Sequence, residues 1–79
     1  MLIINQNQTA VFPLEKINSI FIDGNFIQVA TDGTTGYIAQ YETEERCKEV
    51  LKELINKYPL SSTFTFPKQI KGGTNYVVR

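Results

Sequence analysis

The residues whose types and spacing could do chemistry lie near the C-terminal end. Up to Glu53 the chain carries eight acidic and four basic residues; from Asn56 onward it carries four bases, Lys57, Lys68, Lys71 and Arg79, and no acid. Lys71-Gly72-Gly73-Thr74-Asn75 has the parts of an anion site. Glycines let backbone N–H groups converge on a phosphate, and Lys, Thr and Asn add side-chain donors. The GxxxxGK spacing of a Walker loop is absent. Phe64, Phe66 and Tyr76 are close in sequence to these bases, so a nucleobase could stack on a ring while a lysine meets its phosphate. The plainer readings are a solvated basic tail, and Phe64 and Phe66 as core residues of the strand Thr-Phe-Thr-Phe.

Catalytic chemistry has little to work with. There is no histidine, which removes Ser–His and Cys–His arrangements and histidine-based zinc sites. Cys47, the one cysteine, falls on the apolar stripe of a helix, where a packed thiol is the simpler reading. Glu45, Glu49 and Glu53 repeat every four residues as a solvated helix face, with no second acidic element to pair with. Asp23 and Asp32 belong to turns. The expectation is a protein that is not an enzyme and needs no cofactor or metal.

The elements that must position these residues are organised around Thr43 to Tyr58. Cys47, Val50, Leu51, Leu54, Ile55 and Tyr58 recur at three- and four-residue spacing, the signature of one apolar helix stripe. Thr43 is placed to cap the helix, and Glu44 and Glu45 face the positive end of its dipole. Glu44–Lys48 and Glu53–Lys57 are i,i+4 pairs of the favourable orientation. Pro59 stops the helix.

Before the helix, Leu2–Gln6 reads as a strand and Asn5–Gln8 as a turn. Ala10–Phe12 resumes apolar character, limited to an edge or strand end by Pro13. Leu14–Ile17 is open between a helical turn and a loop. Asn18–Asp23, Phe26–Thr31 and Tyr37–Tyr41 form a β-meander through turns at Asp23-Gly24-Asn25 and Asp32–Gly36. Thr63–Phe66 is a final strand ended by Pro67. The fold expected is α+β: an antiparallel β-meander packed on one amphipathic helix, plus a C-terminal strand and tail. Residues 1–79 make one domain, with a core over 1–67 and a basic tail over 68–79.

The chain has 79 residues and a formal net charge of zero. Neutrality argues against a general DNA binder. No apolar run approaches the about 20 residues of a membrane span, and the apolar opening Met1–Ile4 has no basic leader. A cytoplasmic protein without membrane contact is expected. A chain this short buries only roughly 60–65% of its unfolded surface. The meander carries apolar residues on both faces, Phe21, Phe26 and Tyr37 on one and Ile20, Ile22, Ile27 and Val29 on the other. One helix covers one face, so a homo-oligomer is expected, with Val77 and Val78 docking the tail on a neighbour.

Three pieces carry a resemblance: LIINQN (Leu2–Asn7), YETEERCKEVLKEL (Tyr41–Leu54) and FTFPK (Phe64–Lys68). In order and spacing, across about half the chain, they resemble short proteins of phages and prophages of Gram-positive bacteria. Those proteins are similar to the Thoeris anti-defence family of sponges. The resemblance implies a non-enzymatic viral protein that sequesters a small nucleotide signal, of the cyclic ADP-ribose type or a cyclic oligonucleotide, in the cytoplasm of the infected host. It also implies oligomers held through their helices, with pockets at subunit interfaces contacted by arginines and an aromatic residue. Carried onto this chain, the ligand-binding candidates are Phe66, Lys68, Lys71 and Arg79, with Arg46 in the first helical turn; Tyr76 joins them from the residues alone as a stacking surface. The chain departs from that pattern in its minimal helix-to-strand connection and its tail rich in lysine and glycine. The rival expectation is a phage protein–protein inhibitor, or an accessory protein, that binds a host protein without a small ligand.

Overall fold

The computed structural model describes residues 1–69. Its elements are β1 (Leu2–Ile4), β2 (Val11–Pro13), a 3-10 turn (Leu14–Lys16), β3 (Ser19–Asp23), β4 (Phe26–Thr31), β5 (Thr34–Gln40), α1 (Glu44–Lys57) and β6 (Thr63–Thr65). The strands form two three-stranded sheets, β2-β1-β6 and β3-β4-β5. The second is the expected antiparallel meander. In the first, β1 pairs antiparallel with β2 and parallel with β6. The fold is α+β, with the core between the helix and both sheets. Ile3, Phe64 and Phe66 enter that core from the first sheet, Ile27, Val29, Ile38 and Ala39 from the meander, and Cys47, Val50 and Leu54 from α1.

The helix begins and ends where its chemistry dictates. Thr43 holds an extended conformation, and its hydroxyl accepts a bond from the Arg46 N–H at 3.1 Å, satisfying one orphan donor of the first turn. Tyr58 is extended at φ −79°, ψ 131° ahead of Pro59, while its N–H still reaches the Leu54 carbonyl. The stripe is narrower than expected. Cys47, Val50 and Leu54 are buried and Leu51 is half-buried, but Ile55 and Tyr58 are 68% and 55% exposed. Of the two expected charge pairs, Lys48–Glu44 closes at 3.7 Å, whereas Glu53 turns to Arg46.

Of two turns read from the sequence, the first is present and the second is shorter than expected. The Asn5–Gln8 stretch is organised by Asn5, whose carboxamide oxygen accepts from the N–H groups of Thr9 and Ala10. The second hairpin turn is two residues, Asp32 and Gly33, not five. Gly33 takes the positive φ of 77°, and Thr34 already pairs with Thr31. Gly24 does the same work in the first hairpin, at φ 65°.

A bulge in β5 decides which side chains face the core. Ala39 pairs with Ile27 and Tyr37 with Gln28, so Ile38 is an extra residue on β5. Ile38 and Ala39 are both buried as a result, and Tyr37 turns outward, 66% exposed. There its ring lies 4.5 Å from that of Phe26, on the outer face that Phe21 also occupies.

Candidate functional site

The region that joins both sheets, the helix start and the root of the C-terminal tail is built by Gln6, Asn25 and Tyr41. Gln6 follows β1 and acts as a stitch between the sheets. Its N–H donates to the Ile38 carbonyl at 3.0 Å. Its side-chain oxygen accepts from the Gln40 N–H, and its amide nitrogen donates to the carbonyls of Gln40 and Pro67. The carboxamide thus mimics a strand's peptide group against β5. Asn25, in the first hairpin turn, makes a reciprocal pair with Tyr41: its amide donates to the Tyr41 carbonyl, and its own carbonyl accepts from the Tyr41 N–H, both at 2.9 Å.

Tyr41 is 2% exposed. Its hydroxyl donates to the Pro67 carbonyl at 2.7 Å, and the Arg46 guanidinium lies 5.8 Å from its ring centroid. Burial pushes the phenol well above its ordinary value of 10.0, although the nearby guanidinium pulls the other way. Burial also raises the Cys47 thiol, with Glu44 adding to the effect. Cys47 is therefore a packed, protonated thiol and no nucleophile.

Beside this junction opens a cleft of about 470 Å³, lined by Gln6, Asn25, Gln40, Tyr41, Glu42 and Gln69. Carboxamides dominate its wall. A carboxamide carries a donor and an acceptor in one plane, the pattern that matches a nucleobase edge. Here the Gln6 amide is engaged by Gln40 and Pro67 and the Asn25 side-chain nitrogen by the Tyr41 carbonyl, which leaves the Gln40 side chain and the Asn25 side-chain oxygen to meet a ligand. Glu42 brings a carboxylate and no cation into the lining, so a phosphate would find its cations just outside, beginning at Lys68.

The sequence-derived candidates separate on this geometry. Lys68 is exposed next to the cleft-lining Gln69. Phe66 is a correction: it is 0% exposed and packs edge-on against Phe64 with centroids 5.2 Å apart, so it is a core residue and offers no stacking face. Arg46 is already engaged, with Nη1 3.1 Å from Glu49 and 3.3 Å from Glu53. Lys71, Tyr76 and Arg79, like Val77 and Val78, lie outside the described residues. Sequence reasoning missed Gln6, Asn25 and Gln40, because uncharged amides in turns and at a strand end carry no motif. Among the described residues no group of His, Cys, Asp or Glu is arranged to hold a metal ion, and no helix is long and apolar enough to cross a membrane.

Neither a protein-family model, nor a curated protein, nor a solved structure matches this chain.

Proposed function

We propose that this protein is a non-enzymatic binder that sequesters a small cyclic nucleotide-type immune signal in the host cytoplasm, as a phage-encoded anti-defence sponge. One observation carries the reading: Gln69 lines the amide-walled cleft. The last described residue is thus at the cleft's edge, and the acid-free segment bearing Lys71 and Arg79 follows it in sequence. A ligand's base would use the Gln40 side chain and the Asn25 side-chain oxygen, and its phosphates would use Lys68 and the bases beyond, through charge-assisted bonds. Among the described residues the cleft lining holds one carboxylate, Glu42, with no serine, threonine, cysteine, lysine or second acid beside it in the lining, so binding without turnover is expected.

The test is calorimetry with cyclic ADP-ribose-type molecules and cyclic di- and trinucleotides, on wild type and on the double variant Lys71→Glu with Arg79→Glu. One of these ligands should bind wild type, lose affinity on the double charge reversal, and be recovered intact. A folded protein that binds none of them ends this reading. The rival is a protein–protein inhibitor, and the aromatic outer face of Phe21, Phe26 and Tyr37 is what favours it. Nucleotide extracted from the purified protein, seen as excess absorbance near 260 nm, separates the two.

A further inference from the structure

We infer that β3 is a self-pairing edge: two copies of this chain join β3 to β3 about a two-fold axis at Phe21, making one six-stranded sheet. This goes beyond the proposed ligand and does not depend on it. It also differs from the helix-mediated oligomers that the family resemblance implies.

Four strand edges exist among the described residues, and three are blunted. β2 is three residues long and ends in Pro13. β6 is three residues long and is followed by Pro67. β5 carries the bulge, and its free side is occupied at Ile38 and Gln40 by Gln6. β3 is the least protected: Ser19-Ile20-Phe21-Ile22-Asp23 contains no proline, no lysine and no bulge, and its one charge, Asp23, sits at the strand's end beside the turn.

The geometry of the first hairpin says which groups that edge presents. A two-residue turn closes on Asp23 and Phe26, which form a hydrogen-bonded pair. Alternation then makes Phe21–Gln28 the next such pair and directs the N–H and C=O of Ile20 and Ile22 away from β4. Among the described residues no other backbone group meets them.

The centre of β3, Ile20-Phe21-Ile22, reads the same in both directions around Phe21. An antiparallel copy centred there sets Ile20 opposite Ile22 of the second copy, and their outward backbone groups bond to each other. Ser19 falls opposite Asp23, hydroxyl against carboxylate. Phe21, 36% exposed, meets its own counterpart on the outer face and extends the Tyr37–Gln28–Phe21 row across both copies. On the core side, an apolar groove of about 320 Å³ lined by Ile17, Ile20, Leu51 and Ile55 runs along the same edge. The added strand would cover it, and with it the exposed Ile55. An isologous interface requires such self-complementarity.

Sedimentation and cross-linking test this. Wild type should sediment at twice 9.0 kDa, and Phe21→Lys, which sets like charges face to face, should sediment at 9.0 kDa with unchanged far-UV circular dichroism. Phe21→Cys should form a covalent dimer under oxidised glutathione, because non-hydrogen-bonded pairs bring Cβ atoms close. Tyr37→Cys, equally on the outer face but two strands away from the β3–β3 seam, should not. A wild-type monomer, or Tyr37→Cys cross-linking as fast as Phe21→Cys, overturns the assignment. Should Phe21→Lys fail to fold, the cysteine pair decides alone.

Discussion

The hydroxyl of Tyr41 donates to the carbonyl of Pro67 across 2.7 Å, tying the end of the meander to the point where the chain leaves β6. With Gln6 donating to the same carbonyl at 3.2 Å, two side chains from distant segments fix the root of the basic tail. Tyr41→Phe removes one donor and leaves the carbonyl its other partner. A loss of about 1 kcal/mol in urea unfolding is expected, with the native circular dichroism retained. No change in midpoint would show that the bond adds nothing.

The same burial makes stability fall in alkali. A phenol whose folded value is raised keeps its proton in the native state while the unfolded chain loses it. Its contribution is full below the ordinary value of 10.0 and declines as pH rises above it. Cys47 works in the same direction from its ordinary value of 9.0. Thermal midpoints should therefore drop from about pH 9 upward, and the drop should be shallower in Tyr41→Phe. An identical alkaline slope in the variant would place the effect elsewhere.

Gln6 tests the stitch between sheets. Gln6→Ala removes its bonds to Gln40 and Pro67 and should cost about 1–2 kcal/mol. Gln6→Glu should cost more, since a carboxylate faces the carbonyls of Gln40 and Pro67 with no donor to offer. Denaturant titrations of the two variants check the order; a Gln6→Glu variant as stable as wild type would refute it.

How much of this was legible in the sequence follows from which signals are local. The helix, its Thr43 cap and the meander were legible because periodicity, capping and Gly24 act within a few residues. So was the sharing of one face by Phe21, Phe26 and Tyr37, though not which of the two faces the helix covers. The parallel pairing of β1 with β6 was not, because it joins segments at opposite ends of the fold and strand patterns do not name their partners. The exposure of Ile55 escaped for a related reason: a stripe shows which residues are apolar, not how far the covering sheet extends. At the candidate site, Lys68 stood out in the sequence by its charge, and the structure shows it exposed beside Gln69. Phe66 was misread because an aromatic next to bases looks the same whether its neighbours are a ligand or Phe64. Gln6 became visible only through its partners.

Burial along α1 sets the next expectation. Val50 is fully buried, so Val50→Asp places an unpaired charge in the core and should cost several kcal/mol. That is enough to abolish the cooperative thermal transition of a domain this size. Leu51→Asp, at a half-buried position beside the open groove, should cost less. Lys48→Ala, on the solvated face, should change stability by less than about 0.5 kcal/mol. Equal damage from Val50→Asp and Leu51→Asp would mean that the groove edge is covered in solution.

Arg46 separates the structural role of a cation from a ligand-binding one. Its guanidinium sits between Glu49 and Glu53 and over the Tyr41 ring. The three charged side chains are 36%, 66% and 45% exposed, so solvent screens the pairs. Arg46→Ala should cost no more than about 1 kcal/mol. A phosphate at Arg46 would have to displace two carboxylates, whereas Lys68 has no ion-pair partner among the described residues and adjoins the cleft. Affinity for the signal molecule should therefore survive Arg46→Ala and weaken in Lys68→Glu, read by calorimetry on folded variants. The reverse pattern would show that the two acids release Arg46 to the ligand, and would move the phosphate site from the tail root to the first turn of α1.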